Sequence, residues 1–426
     1  MKIFYRLLAI TLATCSSAAI ALLPGVPEVA LPENAAQQVT VEPLPLQAAC
    51  PGALVEVGGV QGTDLGAIAR LGSPLVSVHG AELNAEQDWA RFQAEGYPQS
   101  TELLSANQVQ AVDRPRLRGL AATNCSPPTN FGYFVSGNSG PGNESILILG
   151  NPNQVEVLVE LEVVLESGVV TERIPVAAGE QKAIPLVSLS SAEPVFAFSF
   201  RTSGLPVSAY LQHRTVDGLT ATGVDLIPPQ VGATSGVIPG IEVPTEGFAP
   251  AELRIHNPGL EPAEVVLQIA NGSDFDLQRV VVAAGATAVE LLELKQGANV
   301  LFYESDQPVV IALRNQILDE GLDFSWLTPA DLFDQALRIV VSRTSTIYVV
   351  NPTVTTLNLV IEGPVAQSIS VPSRSQLAIP ATPGSYRLIG SGQFHALVSI
   401  KNSTGYATIT PTMMRNFGEQ LEVLIR

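Results

Sequence analysis

The sequence predicts an all-β protein: tandem immunoglobulin-like antiparallel β-sandwich modules behind an N-terminal membrane-anchor helix. Three observations carry that expectation. Short runs rich in Val, Ile and Leu are broken by Gly, Pro and Asn along most of the chain. One pattern of such runs repeats three times from about residue 126. The first 48 residues pass from basic to apolar to proline-rich.

Composition supports the strands. Hydrophobic residues make up 46% of the 426 residues and charged residues only 15%, against roughly a quarter in an average soluble domain. With 35 Gly and 32 Pro, such a chain favours short strands and turns over long charged helices. Its length exceeds a single core and suggests about three domains. The net charge of −18 repels phosphates and anionic headgroups, which argues against both nucleic acid and anionic lipid as direct partners.

The repeat defines the modules. Each unit has an apolar run ending in Asn-Pro: Ile146 to Asn151-Pro152, Leu253 to Asn257-Pro258, and Ile347 to Asn351-Pro352. A residue before proline avoids the helical region, so Asn-Pro ends a strand and starts a turn. A further strand and tight turn follow as Val176-Ala177-Ala178-Gly179 and Val282-Ala283-Ala284-Gly285. In the third unit Val371 to Pro380 aligns with Val176 to Pro185. Late strands then close each unit, Pro206 to Arg214, Pro308 to Arg314 and Phe394 to Lys401. No helical pattern of about 10–15 residues separates the strands, as an α/β repeat would need.

The N-terminus reads as an export signal. Lys2 and Arg6 precede an uncharged run from Leu7 to Leu23. That run is retained as an anchor, cut after Ala19-Ile20-Ala21, or lipidated at Cys15 in Leu12-Ala13-Thr14-Cys15; each fate puts the rest outside the cytoplasm. Outside, Cys50 and Cys125 read as one disulfide, the alternative being two free buried thiols. The expected organisation is a signal or anchor helix over 1–23, a Pro-rich stalk over 24–48 and a cystine-bounded segment over 49–125. Sandwiches follow over 126–234, 235–330 and 331–426. Within the cystine-bounded segment, Ala81 to Glu95 around Trp89 and Phe92 predicts one helix.

Chemistry is sparse. His79, His213, His256 and His395 lack metal spacing, and the His-Glu-x-x-His, nucleophile-elbow and phosphate-loop motifs are missing. The expectation is a non-enzyme with no catalytic, cofactor or metal residues. Asn271, Asp274 and Asp276 could hold a weak calcium ion, although a polar hairpin tip explains them as well. Arg214, Arg314 and Lys401 recur at the ends of the late strands. They read either as cations facing an anionic ligand or as charges that guard strand edges. Trp326 is the aromatic residue that could face a ligand.

The stretch from Cys125 to about Thr234 resembles an uncharacterised actinobacterial family of exported or membrane-anchored β-rich proteins, a domain of unknown function. The resemblance rests on Phe131 to Gly137, Leu147 to Pro152, Val176 to Gly179, Asp217-Gly218-Leu219 and Gly223-Val224-Asp225, with Cys50-Pro51-Gly52 upstream. It implies an N-terminal anchor and a β-rich exterior, and it carries no activity. The expected function is a non-catalytic structural or interaction protein of the cell envelope, tethered to the cytoplasmic membrane. Its partner would be an envelope protein or a wall polymer. The alternative is a glycan-binding module protein of the cell wall.

Overall fold

A computed structural model describes residues 37–41, 46–58, 68–80, 82–84, 89–94, 104–244, 250–272, 274–317, 323–334, 336–412 and 421–425. The expected signal or anchor helix and Cys15 lie outside the described residues. Among those described, no helix is long and apolar enough to cross a membrane. The chain divides into two compact units. In the smaller, Gln37–Val41 pairs antiparallel with Leu421–Ile425. The larger, Leu44–Phe417, is all-β, and its one helical feature among the described residues is the 3-10 turn Leu186–Ser188.

Alternation builds the strands. In Val157–Leu165, Val157, Val159, Leu161, Val163 and Leu165 point into the core. Leu158, Glu160 and Glu162 face outward, as one face of a half-buried strand should. The first module stacks two four-stranded antiparallel sheets. One runs Phe131–Phe134, Ala197–Thr202, Val157–Leu165, Gly168–Val176. The other runs Gln181–Pro185, Asn143–Gly150, Ser208–Asp217, Thr220–Ile227. The third module repeats both orders, with Ala336–Val341, Gly384–Gly390, Leu357–Glu362, Gln367–Val371 over Ser375–Ala381, Ser345–Asn351, His395–Asn402, Gly405–Ile409. The second keeps the same pairings but fuses its sixth and seventh strands into the 21-residue Gly297–Ile317, which crosses from one sheet to the other.

The strand order departs from an immunoglobulin domain, which sets strands A, B, E and D against C, F and G. Here each module's first strand lies beside the sixth, and the seventh beside the second. The outer strands have exchanged sheets, and the eighth strand is left at an edge.

The repeated Asn explains why each module turns where it does. Asn151 is fully buried; its Nδ2 donates to Val155 O (2.8 Å) and Val176 O (2.9 Å), while its Oδ1 accepts from Asn153 N (2.9 Å). Asn257 does the same with Glu261 O (2.7 Å), Val282 O (3.1 Å) and Gly259 N (2.9 Å). Asn351 matches with Thr355 O (2.7 Å), Val371 O (3.0 Å) and Thr353 N (3.0 Å). One amide thus satisfies turn carbonyls that would otherwise be buried unpaired.

The segment before the first module is a fourth spoke. Its strands include Leu46–Ala49, Leu54–Val57, Leu75–His79, Ser105–Arg114 and Leu117–Asn124, and Cys50 is bonded to Cys125. Leu46–Ala49, which overlaps the end of the expected stalk, pairs with Arg91–Ala94. The helix expected around Trp89 and Phe92 is replaced by the strands Glu82–Asn84 and Arg91–Ala94, which pair with each other. Both aromatic residues are buried, but in packing that two rings three residues apart cannot distinguish from a helix face. Trp89 lies on Gly150, where any Cβ would come within 2.7 Å of the ring.

The cores close these parts into a ring. Leu117, Ala121 and Leu54 share a core with Ile146, Ile148 and Val224 of the first module. Phe324 and Trp326 of the second module enter the first module's core. Tyr348 and Leu397 of the third enter the second's, and Val109, Leu120 and Ala122 pack into the third's.

Candidate functional site

At the centre of the ring, four edge strands meet: Leu117–Asn124, Thr220–Ile227, Asp323–Leu327 and Gly405–Ile409. Each pairs on its outer side with the preceding strand of its own sheet, so its inner N–H groups face the axis. Such groups need acceptors when buried. Asp323 supplies them. Its Oδ2 accepts from Leu120 N (2.9 Å) and Tyr406 N (2.9 Å), and its Oδ1 from Phe324 N (2.9 Å) and Val224 N (3.3 Å). One carboxylate therefore binds a backbone N–H from every spoke.

The other three strands carry glycine beside that carboxylate. A Cβ on Gly119, Gly223 or Gly405 would stand 2.8, 2.7 or 2.0 Å from an Asp323 oxygen. Their φ angles of +137°, +149° and +156° are also hostile to any side chain. Further along the axis Asp225 accepts from Leu226 N (2.9 Å), Trp326 N (2.6 Å) and Ser325 Oγ (3.1 Å). Burial raises the pKa of both Asp323 and Asp225, while the N–H groups that each accepts from, four at Asp323, pull the other way and favour the ionised form.

A proline follows each hub strand: Pro127, Pro228, Pro329 and Pro411. At this end, about 20 Å from Asp323 at the rise of an extended strand, the strands splay around a cavity of about 770 Å³. Ser126, Pro228, Thr328 and Thr410, each one or two residues beyond the end of a hub strand, lie on its wall. Val237, Val266 and Phe302 add apolar surface, and Gln230, Gln268, Tyr303, His395 and Arg374 add polar groups. Gln230 Nε2 is buried with no partner among the described residues. His395 is held by the linker between modules, its Nδ1 lying 2.9 Å from Ala330 O and 3.0 Å from Asp331 O, and burial lowers its pKa.

The residues singled out in the sequence fall elsewhere. Trp326 is only 3% exposed and faces no solvent, because its strand is part of the hub; its Nε1 donates to His213 Nδ1 (2.9 Å). His213 is buried, and burial, with Arg314, Arg254 and Arg214 nearby, holds its pKa well below the usual value. Arg214 pairs with Glu144 (2.6 Å) and donates to Arg116 O (2.8 Å). Arg314 lies over the Phe324 ring, 4.5 Å from its centroid. Lys401 is exposed. These three cations do not form one row. Arg214 and Lys401 sit opposite the equivalent Val224 and Tyr406, but Arg314 sits opposite Trp326, two residues further along.

The acidic tip at Asn271 is closed by protein groups. Lys295 Nζ lies 2.6 Å from Asp274 Oδ2, and Asn271 Nδ2 donates to Gln296 O (3.0 Å). Among the described residues, no three His, Cys, Asp or Glu side chains are grouped to hold a metal ion.

Sequence reasoning missed Asp323 and the cavity. The available signal was positional, an Asp at the point that Gly223 and Gly405 occupy in two of the other hub strands, each followed six residues later by proline.

Among solved structures, the chain is similar to three fibronectin domains (FN1-FN3) of chicken CNTN1, at 13% identity and a TM-score of 0.10, covering 68% of this chain and all of that one. It is also similar to an alpha-L-rhamnosidase of Streptomyces avermitilis, at 10% identity and a TM-score of 0.12, covering 88% of this chain and 55% of that one. No curated protein matches the chain. The family of unknown function DUF5719 matches residues 84–382, a span that holds three hub strands, Asp323 and Arg374, and the chain belongs to that family.

Proposed function

We propose that this protein is a non-catalytic binding protein of the cell envelope, held at the cytoplasmic membrane by its N-terminal segment, whose ring presents the axial cavity to a ligand or partner. The observation that carries this reading is the cavity itself. Its walls come from all three modules, beside the ends of the hub strands, and its volume lies within the roughly 300–1,000 Å³ of small-molecule sites. The Cys50–Cys125 disulfide supports an extracytoplasmic setting, where such bonds persist. The basic n-region and apolar run before Leu23 support the tether.

The test is intact mass of the native chain from membrane and soluble fractions, with and without reduction. A full-length chain in the membrane fraction, lighter by two hydrogens before reduction, supports the reading. A mature chain free in the medium removes the tether and leaves a diffusible binder.

A further inference from the structure

The strongest unassigned feature is a residue in a conformation that its own repeats reserve for glycine. Arg374 has φ +47°, in the left-handed region. The equivalent turns of the first two modules hold Gly179 (φ +72°) and Gly285 (φ +67°). The equivalence is geometric as well as sequential, since Arg374 N donates to Thr353 O (3.1 Å) as Gly179 N donates to Asn153 O (3.2 Å). A side chain there strains the backbone, and such strain persists where the side chain has a use.

Inside the fold Arg374 has little to do. The one hydrogen bond of its side chain among the described residues is a long 3.4 Å contact from Nη1 to Gln268 Oε1. Yet it lines the axial cavity, beside the apolar wall of Val237, Val266 and Phe302. Leu277 and Leu332, 69% and 47% exposed, extend that apolar surface. Glu304 and Asp331 also lie on the wall, and both are exposed. In a chain of net charge −18 the overall field repels anions, so an anion would need a local cation of this kind.

We propose that the cavity binds an amphipathic anion, its carboxylate or phosphate on the Arg374 guanidinium and its apolar body on the Val237–Val266–Phe302 wall. Guanidinium presents a planar fork of donors that fits either headgroup. The proposal rests on the reading of the cavity as the binding face and names its ligand class.

The test titrates the full chain with decanoate, decyl phosphate and neutral decyl maltoside, followed by calorimetry. One saturable site for at least one anion, weakened tenfold or more in both Arg374→Gln and Arg374→Gly, is the expected result; the preferred anion identifies the headgroup. Arg374→Gly should also melt about 1–2 °C higher, because it relieves the turn. No saturable binding of either anion, equal binding of the maltoside, unchanged affinity in the variants, or a lower melting point for Arg374→Gly would each overturn it. Membrane fractionation does not depend on this titration, so the ligand class can fail while the tethered protein stands.

Discussion

The hub and the outer turns solve the same problem with opposite chemistry. At the turns the orphan groups are carbonyls, and an amide donates to them, once per module, through Asn151, Asn257 and Asn351. At the hub the orphans are N–H groups, and a carboxylate accepts them, once for the whole ring, through Asp323. A turn is local, so each module needs its own amide. The axis is shared, so a second carboxylate at the same level would crowd and repel the first.

Four substitutions or conditions press on this contrast. The largest effect is expected from Asp323→Asn, which keeps the shape but turns an amide donor toward backbone donors. It should cost at least about 3 kcal/mol in chemical denaturation and loosen all four spokes together. A change confined to the second module would refute the shared hub.

Acid should act at a turn. Burial lowers His256 to about 4, so the folded state keeps it neutral while the unfolded chain takes a proton near 6.5. Stability from this group is present above about 6.5 and is lost as pH falls toward 4, by up to about 1.4 kcal/mol per pH unit. Melting curves of His256→Gln should be flatter than wild type across that window.

Asn351→Asp inverts the turn chemistry, placing a carboxylate against Thr355 O, Val371 O and Pro372 O. A loss of about 2 kcal/mol is expected, with hydrogen exchange rising in the third module alone. Tyr210→Phe should cost least, about 1 kcal/mol. Tyr210 Oη donates toward Ala49 O (2.7 Å) and accepts from Ser126 N (2.8 Å), residues that flank the two cysteines. Faster reduction of the disulfide in this variant would show that the hydroxyl braces it.

Repetition decided what the sequence revealed. Asn151, Asn257 and Asn351 recur with their prolines, so the turns that they close were legible. The fourth spoke was not, because residues 46–125 carry the hub strand Leu117–Asn124 without the Asn-Pro turn. Asp323 escaped because it occurs once, in the slot where its counterparts are glycine. Gly405 follows a late strand as a turn residue would, whereas its φ of +156° and its place beside Asp323 make it the counterpart of Gly223. Arg374 aligned with Gly179 from the start, but only its φ and its place on the cavity wall give the exchange a meaning. Trp326 looked exposed because its neighbours do not reveal that an edge strand can be wrapped by three others.

Asp323 also sets a schedule. Its ligands come from residues 120, 224, 324 and 406, so the ring can lock only once residue 406 is present. At the usual synthesis rate of about 5–20 residues per second, Leu120 is made roughly 15–60 s before Tyr406. Through that interval the early spokes hold open edges with nothing to accept their N–H groups. The growing chain is therefore most vulnerable to mispairing just before Gly405–Ile409 is added, and a truncated product lacking that strand should aggregate rather than persist as a smaller folded protein.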